Sequence, residues 1–265
     1  MARNILLEHV YDMVTGEPMK SFILVQNLLT AIVLPVFGVI IGLTAIPAIA
    51  LFYYWHGQEL PLSLSASTPE DYIIELTGIG VSLGLFVITW GISLVFISGI
   101  MAGLLRPRIE SGRYPLQSFV TIQWAWSMIF HKVALFFLPH LVPSFIGNTY
   151  YRLSGAKIGR GAQINSPNIN DCGSVTIGER VVIGGKAVIN AHLTEKGELV
   201  MAPVVIGNDA LIGTESIIQP GCTIGEGAVI ASRAVLPKWT NVPAGEVWGG
   251  LPAKCIRLAD GSKPV

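Results

Sequence analysis

An aliphatic residue returns at every sixth position in the second half of the chain, and this period constrains the fold more than any other feature. The clearest run is Ile206, Ile212, Ile218, Ile224, Ile230 and Leu236. A period of six suits neither an α-helix nor a sheet of long hairpins. It suits a short strand followed by a corner, repeated as a solenoid. Each aliphatic side chain then points into an interior that no single turn of the chain could bury alone.

Glycines follow several of these aliphatic residues directly, as corners require, because glycine adopts positive φ without a steric cost. They are Gly178, Gly184, Gly207, Gly213 and Gly225. An earlier run has the same period: Ile158, Ile164, Ile177, Ile183 and Ile189. The pattern predicts an all-β domain of parallel strands over residues 148–258, followed by a tail, residues 259–265.

Two segments break the period. Residues 165–176 hold one residue too many for the register, which predicts a small bulge near Pro167. Residues 191–203 replace the aliphatic residue with polar ones, which predicts a loop that leaves the shaft. His192, the only histidine of the repeat half, stands where this loop begins.

The first half of the chain has the composition of a membrane domain. No Lys or Arg occurs between Ser21 and Leu105. Only 13% of the whole chain is charged, against about 25% in soluble domains. The apolar runs 21–55 and 72–105 are both longer than the ~20 residues that cross a hydrocarbon core. We therefore expect an α-helical membrane domain over residues 21–147.

Prolines and glycines modify this expectation. Pro35 and Pro47 each remove a helical hydrogen bond, so kinks or a re-entrant hairpin are alternatives to a straight first span. The second run carries two pairs of glycines spaced for close helix packing: Gly80 with Gly84, and Gly99 with Gly103. These pairs predict contact between the two spans. The alternative is that glycine is simply common in membrane helices.

Basic residues lie before the first apolar run and after the second, but not in the loop between them. Arg3 and Lys20 precede the first run, Arg106 and Arg108 follow the second, and the loop 56–71 has none. The positive-inside rule then places both ends in the cytoplasm, including a lead, residues 1–20, and the repeat domain.

The apolar segment 115–146 differs from the two runs, because polar and aromatic residues lie within it. They are Trp124, Trp126, His131 and Lys132, and Pro139 and Pro143 also interrupt the segment. We expect a helix in the membrane interface rather than a third span. We therefore expect an integral membrane protein that is embedded in a lipid bilayer.

Several motifs together resemble the hexapeptide-repeat acyltransferases. Gly250-Leu251-Pro252-Ala253-Lys254 is similar to their Gly-x-Pro-Ala-Lys ending. A short block of repeats, the Ala191-His192-Leu193 loop and a second block from Pro203 look closest to the terminal membrane domain of ε-poly-lysine-synthetase-type peptide synthetases. The resemblance covers residues 148–258 well and the apolar half in general character. It implies a left-handed parallel β-helix that forms a homotrimer and binds coenzyme A between neighbouring copies.

The resemblance also implies the role of His192, which matches the position of the family's general base. An imidazole can take a proton from a hydroxyl or an amine as that group attacks a thioester. The alternative is a loop histidine that is hydrogen-bonded for structure. Glu195 and Glu198 are the carboxylates that we consider for orienting the ring.

For the acyl donor, acetyl coenzyme A or a related thioester, the resemblance implies five further residues. Thr214 and Ser232 match positions where the family keeps small groups beside the pantetheine arm. Lys238, Lys254 and Arg257 match cations for the coenzyme's phosphates, although a solvated basic rim is the alternative. Arg233 departs from the pattern, because the family more often has glycine there and a long side chain would narrow the tunnel.

Three functions follow from these features. The first is acyl transfer from coenzyme A to a hydroxyl or amine of a membrane-associated acceptor. The second is a non-catalytic trimeric scaffold at the membrane. The third is a γ-type carbonic anhydrase, which is disfavoured because its zinc needs three imidazoles and the repeat half has one. We expect no metal.

Charge and cysteine content exclude further classes of protein. The formal net charge is zero, so no basic domain indicates nucleic acid as a partner. Cys172, Cys222 and Cys255 are scattered without a CxxC spacing, so neither a zinc cage nor a disulfide framework is indicated. We expect buried or inert thiols.

Overall fold

A computed structural model describes residues 17–56, 68–109 and 111–264 of the chain. Most of the expected cytoplasmic lead, including Arg3, and most of the loop between the two apolar runs lie outside the described residues. The chain divides into two compact units, residues 1–46 and 47–265.

The first unit is helical over its described residues, 17–46. Helix α1 has the bounds Glu17–His56, and both Pro35 and Pro47 lie inside it. The described residues of this run therefore form a helix and no hairpin. The stretch Val33–Trp55 is apolar and long enough to cross a membrane, judged by length and composition.

Helix α2, Pro69–Leu105, meets the same criterion over its whole length. Its start is fixed by a cap, because the Thr68 side chain accepts a hydrogen bond from the Asp71 amide at 3.2 Å. Proline at the first helical position lacks an amide that would be unpaired there in any case. The helix ends at Arg106, whose amide donates to the Ala102 carbonyl at 3.0 Å.

The glycines of α2 show which part of this helix is packed. A Cβ atom at Gly99 would lie 3.0 Å from Tyr150, and one at Gly103 would lie 2.0 Å from the Leu153 carbonyl oxygen. Gly80 and Gly84 have open space around them among the described residues. The second glycine pair thus serves close packing as predicted, but the partner is helix α5 (Phe145–Leu153) and not the other span.

The segment 115–146 does not form one continuous helix. Helix α3 is Phe119–Ala134, a short helix α4 is Leu138–Leu141, and α5 follows at Phe145. The breaks lie around Pro139 and Pro143, since proline cannot donate the hydrogen bonds that would continue a helix. Helix α3 packs along α2, and its buried side chains include Ser127, Phe130 and His131.

The rest of the chain forms short strands. After β1, Gly112–Pro115, they are β2 Lys157–Ile158, β3 Gln163–Ile164, β4 Val175–Ile177, β5 Val182–Ile183, β6 Val188–Ile189, β7 His192–Glu195, β8 Glu198–Met201, β9 Val204–Ile206, β10 Leu211–Ile212, β11 Ile217–Ile218, β12 Thr223–Ile224, β13 Val229–Ile230, β14 Val235–Leu236, β15 Asn241–Val242, β16 Val247–Gly250 and β17 Ala253–Arg257. A 3₁₀ turn, Cys172–Ser174, precedes β4.

These strands stack into three parallel sheets, and each of the three central turns of the chain contributes one strand to each sheet. The first sheet has the order β2, β4, β9, β12, β15; the second β3, β5, β10, β13, β16, with β17 antiparallel at its end; and the third β6, β11, β14. In the regular part, Leu211 pairs with Val229 and Ile217 with Val235, each 18 residues on. Three hexapeptides therefore make one turn, as the period predicts.

The aliphatic residues that define the period form the core. Each of them from Ile164 to Leu236 is at most 2% exposed. Fully burying one such side chain contributes roughly 1.5–3 kcal/mol. Because a single turn contributes only three of these side chains, the stability of the domain depends on the stack.

The extra residue of the first interruption lies further along the chain than expected. Gln163 pairs with Val182, 19 residues on, which confirms one residue in excess. Ile169 pairs with Ile189, 20 residues on, so the segment 164–169, which contains Pro167, is one residue shorter than the segment 183–189 beside it. Two additional residues lie after Ile169, in the turn at Asp171 that leads into Cys172–Ser174. The net excess of one residue agrees with the prediction, but the additional residues do not lie at Pro167.

The second interruption is a hairpin thrown out from the stack, as predicted. Strands β7 and β8 pair antiparallel, and their turn residues Lys196 and Gly197 both have positive φ, which suits a tight two-residue connection. Strand β1, from the segment after α2, pairs with β8 as a third strand. The hairpin that begins with His192 is therefore held at one edge by the helical half.

Candidate active site

His192 opens the hairpin, and its ring is held by one carboxylate. The Nδ1 atom lies 2.5 Å from Oδ2 of Asp171. The side chain of His192 is 23% exposed, whereas that of Asp171 is 2% exposed. The Nε2 atom makes no hydrogen bond with any group of the residues described. The tautomer that carries its proton on Nδ1 donates to Asp171 and leaves Nε2 as a proton acceptor at a partly open surface.

Asp171 reaches this position through its backbone. It has a left-handed conformation, with φ of 56° and ψ of 48°, directly before the 3₁₀ turn. Aspartate tolerates this region better than most residues. Its carboxylate accepts two further hydrogen bonds, from Trp124 Nε1 at 2.8 Å and from the Ala191 amide at 3.1 Å. Three donors satisfy the buried charge.

The carboxylates considered for orienting His192 do something else, so that prediction was wrong. Glu195 forms ion pairs with Arg113 at 2.7 Å and with Lys238 at 2.6 Å. Glu198 lies 3.4 Å from Arg113. The hydrogen bonds of Lys238 and Arg113 lower the pKa of Glu195. These pairs hold the hairpin to β1 and to the next corner of the stack.

The residues expected to hold the acyl donor are dispersed within one chain. Thr214 and Ser232 are exposed and lie one above the other, at the corner between the second and third sheets. The hairpin and Lys238 lie at the corner between the third and first sheets. Lys254 and Arg257 are exposed on β17. Only Lys238 is brought to the His192 hairpin.

Arg233 occupies a corner position with φ of 61°. Its Nε donates to the Glu215 carboxylate at 2.8 Å, and its side chain is 80% exposed. Glu215 follows Thr214 in the neighbouring turn, so the guanidinium of Arg233 lies at the same corner as Thr214.

A small cavity lies behind the dyad of Asp171 and His192. Its lining includes Arg106, Trp124, Asp171 and Met201. Arg106 Nη1 lies 3.4 Å from the Gly173 carbonyl oxygen, whereas its buried Nε has no partner among the described residues. The end of α2 therefore contacts the same turn that presents Asp171.

Two titratable groups near the site, His131 and Cys172, are buried. His131 on α3 bonds through Nδ1 to the Tyr150 hydroxyl at 2.7 Å, and burial lowers the pKa of His131 to about 4. Burial raises the pKa of the Cys172 thiol to about 12. Cys222 is also buried and Cys255 is partly exposed. Within the described ranges, no group of three or more His, Cys, Asp and Glu side chains is placed to hold a metal.

Sequence reasoning singled out His192 as a candidate but did not name the two residues that contact its ring, Asp171 and Trp124. Asp171 lies 21 positions before His192, in a segment whose register already indicated one extra residue. That irregularity was the available signal. Trp124 lies in the helical half, and nothing in the repeat pattern connects it with the hairpin.

Comparison with known proteins finds the same kind of repeat. Residues 203–238 match the family model for the bacterial transferase hexapeptide (six repeats). The delta-poly-L-ornithine synthetase of Acinetobacter baumannii (strain AB307-0294) is 27% identical over 176 residues, which cover 63% of this chain and 13% of the synthetase. This chain thus spans a small fraction of that relative's length.

Solved structures resemble the chain in part. A maltose O-acetyltransferase from Clostridium difficile 630 is 19% identical, with a TM-score of 0.42, over 55% of this chain and 91% of that one. A hexapeptide-repeat acetyltransferase from Vibrio cholerae O1 biovar eltor, complexed with acetyl coenzyme A, is 23% identical, with a TM-score of 0.38. That likeness covers 45% of this chain and 82% of the other.

Proposed function

We propose that the protein transfers an acyl group from a coenzyme A thioester to a membrane-associated hydroxyl or amine. The match of residues 203–238 to the bacterial transferase hexapeptide model and the 27% identity to a poly-ornithine synthetase support this proposal. His192 is the general base of this reaction. The observation that carries the proposal is the dyad: Asp171 holds Nδ1 of His192 and leaves Nε2 free at the surface.

The dyad supplies proton transfer in both directions. Nε2 of His192 accepts the proton of the hydroxyl or amine as its oxygen or nitrogen bonds to the thioester carbonyl carbon. The imidazolium is stabilised by Asp171 and then returns the proton to the sulfur as the C–S bond breaks. The products are an ester or amide and a free thiol. Such general base catalysis contributes roughly 10²–10⁴-fold.

The acyl donor fits a groove between copies of the chain better than a pocket in one copy. Thr214 and Ser232 offer small exposed side chains at one corner, and His192 stands at another. In a homotrimer of left-handed parallel β-helices, the His192 corner of one copy faces the Thr214 corner of the next. Lys238, Lys254 and Arg257 then supply cations for the phosphates of coenzyme A.

The apolar helices favour an acceptor that is lipid-linked or amphiphilic. Helix α2 and the stretch Val33–Trp55 anchor the protein as two spans, with the repeat domain on the cytoplasmic side, where acyl donors are found. Confinement of enzyme and acceptor to one surface raises their effective concentration.

Thiol release tests the proposal. The full chain, purified in detergent, is mixed with acetyl coenzyme A and either n-octylamine or n-octyl glucoside as probe acceptor. We expect His192→Ala to lower kcat/KM by roughly 10²–10⁴-fold. His140→Ala is the matched control, because His140 is exposed on α4, outside the dyad. Equal activity of His192→Ala and the unmodified protein would reject His192 as the base.

A scaffold role has one observation in its favour, namely that the ammonium group of Lys238, a candidate phosphate ligand, forms an ion pair with Glu195 within the chain. Calorimetry with coenzyme A separates the two functions. Stoichiometric binding supports the transferase. The absence of both binding and thiol release would leave a trimeric scaffold as the function.

A further inference from the structure

We infer that Trp124 is a positioning residue of the candidate active site: it acts on His192 through Asp171, which makes helix α3 a working part of the site. The inference rests on the proposed acyl transfer and concerns how its base is prepared. The helical half then does more than anchor the protein, since it supplies one of the three hydrogen-bond donors that hold the Asp171 carboxylate in place.

The two carboxylate oxygens of Asp171 form hydrogen bonds with different parts of the protein. Oδ1 accepts from Trp124 Nε1 at 2.8 Å. Oδ2 accepts from the Ala191 amide at 3.1 Å and faces Nδ1 of His192 at 2.5 Å. Because each oxygen is held from a different side, the carboxylate cannot rotate about its own axis. Removal of the indole N–H would cost the buried Oδ1 this hydrogen bond.

The indole ring also contacts the base directly. The centroids of the Trp124 and His192 rings are 4.7 Å apart, and their planes are inclined at 57°. Aromatic pairs at this separation attract each other. One face of the imidazole is therefore covered, and its rotation about χ2 is restricted, while Nε2 stays free for a substrate.

Helix α3 is itself fixed on both sides of Trp124. Ser127 Oγ donates to the Ala102 carbonyl of α2 at 3.1 Å, and His131 bonds to Tyr150 of α5 at 2.7 Å. These residues follow Trp124 at helical spacings of three and seven, so one face of α3 carries all three contacts. The indole is thus held by packed helices rather than by a loop.

The test compares variants of the full-length protein in the thiol-release assay. Trp124→Phe removes the N–H and keeps an aromatic ring. The matched control is Trp126→Phe, because the Trp126 side chain, two positions along the same helix, makes no hydrogen bond among the described residues. We expect Trp124→Phe to lower kcat by about 10- to 100-fold, as misplacement of a catalytic group does, with little change in KM. Trp126→Phe should retain the activity of the unmodified protein.

The Asp171→Asn variant shows whether Trp124 acts through the carboxylate. If it does, adding Trp124→Phe to Asp171→Asn lowers kcat no further, because Asp171→Asn has already removed the carboxylate through which Trp124 acts. Multiplied losses in the double variant would overturn the inference. Incorporating 3-benzothienylalanine at position 124 replaces only the N–H by sulfur, so it separates the hydrogen bond from the packing even if Trp124→Phe folds poorly.

A spectroscopic measurement keeps the inference independent of the reaction. Nitrogen-15 NMR of the labelled histidines reports which ring nitrogen of His192 carries the proton. We expect the Nδ1–H form in the unmodified protein and in Trp126→Phe, and a mixture of forms in Trp124→Phe. An unchanged His192 signal in Trp124→Phe contradicts the positioning role. The expected change without thiol release in any variant would support positioning and reject the transferase.

Discussion

The packing of α2 against α5 makes a sharp prediction at Gly103. A Cβ atom added there would lie 2.0 Å from the Leu153 carbonyl oxygen and 3.2 Å from its carbonyl carbon. These are backbone atoms at the end of α5, so no side-chain rotation relieves the clash. Gly84 is the matched control, because it lies in the same helix and no atom of the described residues is within 4 Å of its added Cβ.

The magnitude follows from two opposed effects. Replacing glycine by alanine inside a helix stabilises it by about 1 kcal/mol. This gain is common to Gly84→Ala and Gly103→Ala, so it cancels in their comparison. Overpacking at Gly103 costs about 1–3 kcal/mol. We therefore expect Gly103→Ala to be less stable than Gly84→Ala by about 1–3 kcal/mol.

The assay is unfolding by sodium dodecyl sulfate in mixed micelles, followed by circular dichroism. Gly84→Ala should match or exceed the unmodified protein in free energy of unfolding, and Gly103→Ala should fall below it. Equal free energies for the two variants would refute the described contact between α2 and α5. That result would also argue against the helix packing that positions Trp124 beside Asp171.

Two further predictions concern pH and topology. Burial holds the pKa of His131 at about 4, below the ordinary value of about 6.5, so the unfolded chain binds the proton more readily. The contribution of neutral His131 to the free energy of unfolding is therefore fully present above pH ~6.5 and is lost as the pH falls towards 4. The loss is about 2 kcal/mol between pH 7.5 and 5. His131→Gln should remove that part of the pH dependence in thermal unfolding, and an unchanged slope would contradict the burial of a neutral imidazole. For topology, an impermeant maleimide should label Ser63→Cys in intact cells and Ser262→Cys only after lysis. The reverse labelling would invert the proposed orientation.

The sequence was most informative where the fold is periodic. One aliphatic residue in six determines which side chains lie inside, since any other register would expose them. The pairing of Leu211 with Val229 confirms that register. The polar interruption after residue 190 also predicted a departure from the stack, because its residues could not fill the interior.

Contacts between distant segments could not be predicted in the same way. Asp171 reaches His192 only because a turn of the stack places residues 21 positions apart side by side and a left-handed backbone aims the carboxylate. Proximity in sequence favoured Glu195 instead, which the structure pairs with Arg113 and Lys238. Trp124 is 68 positions from His192, and no local pattern relates a helix face to a hairpin.

The central claim is that the dyad of Asp171 and His192 acts on a coenzyme A thioester held beside it. An electron cryo-microscopy structure of the protein in lipid nanodiscs with coenzyme A tests this most directly. We predict a trimer with the coenzyme between two copies and its sulfur within hydrogen-bond reach of His192 Nε2, directly or through one water molecule, as proton transfer requires. Coenzyme density far from His192, or a His192 that faces no neighbouring copy, would contradict the account.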